Sequence, residues 1–371
     1  MKFNKNEFGW EEKVSVNTNE LSDDVSIKNS LTVGSRLGDI GIYSVAEGYQ
    51  NTASGTLSHA EGESTEASGS ASHAEGGYTE ASGECSHAEG YGTTASGDSS
   101  HAEGEETTAS GNSSHAEGSY TIASNNNSHS EGEETTASGN SSHAEGFNTT
   151  ASGNISHAEG ESSNLISAVI SDFSSSTSND DILTAWNSNK FSLAKGTSSH
   201  VEGKDNLALG DFSHAECTNT TASGNSSHAE GNNTTASGNI SHAEGDWTVA
   251  SGYYSHAEGT GSTASGIASH AEGSGTKASS GNQHVQGKYN IEDTENKYAH
   301  IVGNGTSNTK RSNAHTLDWQ GNGWYKGELY TGGTSQSDAN KVLTTANISF
   351  NESGELVVTI GNVTKIFVPK Q

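Results

Sequence analysis

Histidine and glutamate recur two residues apart in this sequence, at His59 and Glu61, His73 and Glu75, His87 and Glu89, His101 and Glu103, and His115 and Glu117. An imidazole beside a carboxylate is equipped for general acid–base catalysis, metal ligation or a charge-assisted hydrogen bond. His-Ala-Glu is also the first half of the zinc deaminase signature, whose second half is Pro-Cys-x-x-Cys. That second half is missing: the one proline is Pro369, and Cys85 and Cys217 stand 132 positions apart. So many copies of one motif make no sense for a single active site. Nor does any carboxylate pair stand apart from the repeat, as a glycan-cleaving enzyme would require. No catalytic residue is expected. Three imidazoles meeting on a threefold axis would suit a divalent ion. A hydrogen-bonded column of His, Glu and Ser is the simpler expectation, so neither metal nor cofactor is anticipated.

The spacing shows what must position these pairs. Each belongs to a core Ser-His-Ala-Glu-Gly, opening at Ser44 (as Ser-Val-Ala-Glu-Gly), Ser58, Ser72, Ser86, Ser100, Ser114, Ser128, Ser142 and Ser156. It resumes at Ser199, Ser213, Ser227, Ser241, Ser255 and Ser269, stepping by fourteen residues within each run. Sixteen of the seventeen histidines lie in this core or in its degenerate successors at His284 and His300. A strict short period means units that pack on their neighbours, which is a solenoid. Helical repeats need roughly 33 to 47 residues, so the coil must be β. Two short extended segments and two tight turns fit the period. Alternation then puts Ser, Ala and Gly on one face and His and Glu on the other. In the second segment Thr107, Ala109 and Gly111 share a face, with Thr108 and Ser110 opposite. Gly104 and Gly111 are expected to make the turns. The Thr row (Thr94, Thr108, Thr136, Thr150) is broken by Glu66, Glu80, Ile122, Val249 and Lys277, which argues against ice binding.

Such a coil buries little. Hydrophobic residues make up 29% of the chain, against an ordinary 45–50% or so. With a net charge of −29, composition alone would suggest disorder. The unbroken register argues instead for an ordered oligomer that supplies the missing interface. The pattern resembles the head repeats of trimeric autotransporter adhesins and of related phage tail-fibre proteins, in which a Ser-Val-Ala-Ile-Gly-type segment alternates with Ala-x-Gly. Ser44-Val45-Ala46-Glu47-Gly48 is the nearest copy; the others carry His and Glu where the adhesins carry aliphatics. The resemblance implies an all-β fold, a left-handed parallel β-roll of 14-residue coils, with three chains side by side as a homotrimer.

Taken in order, residues 1–29 read as an attachment segment anchored by Phe8, Trp10, Val14 and Val16. A β-roll follows over 30–160, beginning at Ser30-Leu31-Thr32-Val33-Gly34. Residues 161–198 break the period as an insertion of about 29 residues beyond one coil. In it, Asn179-Asp180-Asp181 can cap a short helix. Its apolar residues Leu165, Ile166, Phe173, Ile182, Leu183 and Trp186 either clamp onto neighbouring coils or contact a receptor. The roll resumes over 199–287. Residues 288–371 read as a β-rich cap, ending in a meander over 347–350, 355–360 and 363–368 with a Gly361-Asn362 hairpin turn. Asn313–Trp319 and Gly323–Gly327 resemble a segment near the C-terminus of phage tail appendage proteins.

From 31 to 160 the only Lys or Arg is Arg36, which disfavours nucleic acid and anionic membranes as partners. Neither a signal peptide nor an 18-residue apolar run is apparent. The expected setting is therefore a virion tail, with other tail or baseplate proteins and a host-surface receptor or glycan as partners. A bacterial cell or spore surface is the alternative. Cys85 and Cys217 lie about seven coils apart, roughly 34 Å, too far to pair within a chain. Finally, stacked coils should place Glu over Glu, and a hydrogen-bonded Glu beside each His should raise the imidazole pKa.

Overall fold

A computed structural model of the chain describes residues 31–36, 40–162, 177–188 and 190–326, together with strands at 330–331, 340–341, 348–350, 356–360 and 363–367. The N-terminal segment and the candidate residues Leu165, Ile166 and Phe173 lie outside the described residues.

The chain winds as a parallel β-solenoid in which each coil contributes one strand to each of two sheets. In the first sheet every residue pairs with its counterpart fourteen positions on: His59 with His73, Ala60 with Ala74, Glu61 with Glu75. The second sheet repeats the rule, with Thr94 against Thr108 and Ala95 against Ala109. The sheets face each other through two rows of alanines, all but Ala46 at 0% exposure, from Ala53 to Ala278. The narrow space suits a methyl in most coils, and Val201 and Val285 fill the same inward position, fully buried, in two of them. The inward Ser of each core closes the coil: Ser72 Oγ donates to Gly69 O at 2.7 Å, and Ser100 Oγ to Gly97 O at 2.6 Å. One alanine is replaced by Ser130, whose hydroxyl shares a hydrogen bond with Thr135 Oγ1 at 2.7 Å and so remains satisfied.

The turns differ from expectation. Gly104 does adopt positive φ (110°), but Gly111 does not. Gly111 is glycine because the next coil passes so close that a Cβ would sit 1.9 Å from Asn125 O. The left-handed turn positions are taken mostly by other residues, one every seven: Leu57, Ser64, Ala71, Tyr78 and Cys85, with φ from 55° to 62°. That conformation costs an L-residue roughly 1–2 kcal/mol. It is offset because each such N–H is paired with the coil before, as in Tyr78 N to Glu63 O (2.9 Å) and Cys85 N to Ser70 O (2.8 Å). Cys217 stands in a glycine slot and keeps a positive φ of 75°.

The insertion does not interrupt the ladder. His157 pairs with His200, and Thr150 with Leu193. The roll is therefore re-entered at Ser192, ahead of the expected return at 199: strand Ser192–Ala194 fills the second-sheet slot of its coil. The excursion carries helix α1, Asn179–Ser188. Its N-cap is Ser178, not Asn179: Asp181 N donates to Ser178 Oγ at 3.2 Å, while Ser178 Oγ donates to the Asp181 carboxylate at 2.6 Å. Ser178 Oγ thus serves as the N-cap acceptor while its own proton goes to the Asp181 carboxylate.

At the far end His284 still pairs with His300 in parallel, so the sixteen-residue step is absorbed in the connecting loop. The sheet then turns antiparallel, Tyr298–Asn304 to Asn313–Asp318 to Gly323–Tyr325. Ile348–Phe350, Leu356–Ile360 and Val363–Phe367 pair as antiparallel neighbours.

Candidate functional site: a column of histidine and glutamate

In-register pairing stacks identical side chains, and on the outer face of the first sheet these are His and Glu. Fifteen imidazoles from His59 to His284 form one continuous stack, with centroids 4.7–4.9 Å apart and rings within 13° of parallel. The stack crosses the excursion unbroken, His157 to His200 at 4.9 Å. It ends where His300 tilts by 44° and His315 by 60°. The sequence-predicted pairs His59/Glu61 through His115/Glu117 are all in this column. A shallow groove beside it is lined by Glu and Gly rows, for instance Glu89, Gly90, Glu103 and Gly104.

Each carboxylate reaches between two imidazoles. Glu103, Glu131, Glu216 and Glu258 meet the Nε2 of the next coil's His at 3.0–3.2 Å. Others are longer: Glu89 lies 3.8 Å from His87 Nε2 and 4.0 Å from His101 Nε2. This geometry overturns the expected rise in imidazole pKa. His73, His129, His157, His214 and His256 are pushed below their usual value, chiefly by burial and then by the rings above and below. The Glu neighbours act in the opposite sense but more weakly. A stack of like rings resists adding charge to any one of them.

The carboxylates resolve their own crowding by sharing protons. Glu159, Glu216 and Glu244 are raised to about 7, about 8 and about 7, each mainly by a hydrogen bond to the Glu beside it. Glu145, Glu202 and Glu230 are lowered as the accepting partners. From Glu145 to Glu258, Glu on alternate coils thus donates to Glu on the coils between, and these groups titrate as a coupled set.

The excursion's described candidates, Ile182, Leu183 and Trp186, pack against the second sheet. Ile182 and Trp186 are buried with Phe191, Leu193, Leu207 and Leu209, and Leu183 packs at the edge of that cluster. Trp186 Nε1 donates to Asp205 O at 3.2 Å, and Lys190 Nζ sits 3.0 Å over the Trp186 ring. Leu193 and Leu207 occupy second-sheet positions where flanking coils carry Thr150 and Thr221. Two leucines in a threonine row were a legible signal of a docking helix that sequence reasoning passed over.

Against this geometry, residues 88–114, 102–124, 144–163, 218–241, 229–255, 243–266 and 257–276 match the YadA head domain repeat. The chain carries YadA head repeats. The YadA head matches lie on both sides of the excursion, in coils whose first strands all contribute to the one imidazole stack. No curated protein matches the sequence.

Proposed function

We propose that three copies of this chain assemble side by side into a non-enzymatic, homotrimeric adhesive fibre, with the His/Glu faces turned toward the common axis. The observation that carries this reading is the core. Outside the excursion the roll buries little but Ala, Ser and Thr, and burial at about 25 cal/mol per Å² leaves so thin a coil without enough to offset backbone ordering. Association supplies the remainder. The second sheet is partly covered by α1, whereas the first sheet's outer face runs clear along the stack from His59 to His284. Proton sharing among Glu145 to Glu258 reduces the electrostatic cost of bringing three such faces together.

The fibre's work is recognition of a host-surface receptor or glycan. Ile182 and Trp186 anchor the excursion to the roll; Leu165, Ile166 and Phe173 are proposed as its receptor-contacting part. The proposed setting is a virion tail beside other tail or baseplate proteins, supported by the resemblance of Asn313–Trp319 and Gly323–Gly327 to tail-appendage segments. A bacterial-surface adhesin is the second reading, favoured by the YadA head repeats. Sedimentation of the full chain at micromolar concentration is expected to give a trimer, and a folded monomer would overturn the assembly. Antibody-gold labelling of purified phage particles against bare cells separates the two settings.

A further inference from the structure

We propose that the His/Glu column is a linear array of sites for divalent transition-metal ions. The repeating unit is a carboxylate set between two stacked imidazoles, as in His87, Glu89 and His101 or His200, Glu202 and His214; eleven such groups occur among the described residues, each with ligand atoms within 4.8 Å of one another. In eleven of the fifteen stacked rings, His87, His101, His200 and His214 among them, Nε2 is sealed from solvent yet has no hydrogen-bond partner. A sealed, unsatisfied nitrogen is costly. At His87 and His101 the nearest carboxylate oxygens are 3.8 and 4.0 Å away, too far to accept a hydrogen bond but facing the same point. An ion at that point would satisfy both nitrogens and the carboxylate together.

Ligand chemistry selects the class of ion. Imidazole with carboxylate suits zinc, nickel, cobalt or copper and does not suit calcium or magnesium, which take oxygen ligands. Zinc holds nitrogen and oxygen at about 2.0–2.2 Å, so a tetrahedral pair of ligand atoms stands roughly 3.3 Å apart. The cross-coil His–Glu distances of 3.0 Å (His270 to Glu258), 3.4 Å (His242 to Glu230) and 3.6 Å (His284 to Glu272) bracket that spacing. Two imidazoles sharing one tetrahedral ion stand about 3.4 Å apart at their nitrogens. Rings stacked 4.7–4.9 Å apart must therefore lean toward each other by roughly 1.4 Å. Neighbouring groups share an imidazole, so adjacent sites compete; fifteen imidazoles taken two to an ion allow at most seven ions per chain. Metal affinity should fall as pH drops and the imidazole ligands take up protons.

The sites are formed within one chain, so the proposal stands or falls separately from the trimer. The test is calorimetry and metal analysis of the untagged full chain titrated with zinc chloride, with calcium chloride as the control. The expected result is three to seven zinc ions per chain and no comparable uptake of calcium. In a chain carrying H101Q, H129Q and H157Q, which break the shared groups of the first run, zinc uptake should fall by about half. Should that variant not fold, cadmium-113 resonance on the unaltered chain reads the ligands directly and is expected to show nitrogen and oxygen donors. Equal uptake of calcium and zinc, zinc uptake unchanged by the three substitutions, or cadmium bound by oxygen alone would overturn the proposal.

Discussion

The two halves of each coil follow one template and yet differ in what they display. Ser-His-Ala-Glu-Gly and Thr-Thr-Ala-Ser-Gly both read small, outward, alanine, outward, glycine, and both place their alanine at 0% exposure, as at Ala102 and Ala109. On the second sheet the outward position before alanine varies freely, from Thr108 to Ile122, Leu193, Val249 and Lys277. On the first sheet the same position is histidine in fifteen successive coils. The fold therefore requires the small inward residues and tolerates almost anything outward. The His/Glu column is an addition to the fold, held to a constancy that the backbone does not demand. That contrast is the physical ground for placing function on the first sheet.

The comparison is sharpened most strongly by changes to what both halves need. Gly111→Val would drive a Cβ onto Asn125 O, where a Cβ already has only 1.9 Å. The obstacle is backbone and cannot move aside, so a loss of about 3 kcal/mol or more is expected. Thermal melting by circular dichroism checks it, and a melt like that of the unaltered chain would show the coils to be looser than described.

Removing the excursion is expected to cost less. Deletion of residues 163–191 leaves Ser162 to join Ser192, already hydrogen-bonded partners at 2.7 Å. The roll should stay folded at a cost of about 2–4 kcal/mol for uncovering Leu193 and Leu207. Adding Leu193→Thr and Leu207→Thr should recover much of that, because threonine is what neighbouring coils place there. An unfolded deletion chain in both forms would make the excursion an essential part of the roll.

Changes of pH should have the smallest effect, and in two opposing directions. Glu159, Glu216 and Glu244 hold protons more tightly when folded, up to about 7 or 8 against 4.5. Their stabilisation is complete below 4.5 and is lost as pH rises through 7 to 8. The imidazoles, lowered from 6.5, contribute stability that is complete above 6.5 and is lost as pH falls through their folded values. This contribution to melting temperature should therefore decline as pH rises toward about 8 and level off above it. E159Q, E216Q and E244Q together should flatten that decline, since an amide can donate where the protonated acid did. An alkaline limb unchanged by the three substitutions would show that the ladder shares no protons.

Much of this was legible because the period is strict. The inward Ser and Ala, the two half-coil segments and the outward His and Glu follow from alternation at fourteen-residue spacing. What was not legible depends on proximity between coils. Nothing local in Gly111 says that it is glycine for the sake of Asn125, and nothing in Tyr78 or Leu57 announces a left-handed turn. The sign of the imidazole shift was misread because a pair, His beside Glu, was considered where burial, and then the stack of His over His, outweighs it. The point of return at Ser192 was hidden because Ser-Leu-Ala does not resemble Thr-Thr-Ala until the helix that needs Leu193 is seen.

The central claim is that the His/Glu face holds three copies together, and that this association completes the stability of the coil. The direct test is to recode that face in the second sheet's own pattern, changing every His of the fifteen stacked coils to Thr and its Glu to Ser, and to measure fold and mass together. Because association supplies stability that the thin coil lacks, the account predicts that the recoded chain loses both the trimeric mass and the β-roll signal in circular dichroism. A recoded chain that remains folded, whether as a trimer or as a monomer, would contradict the claim.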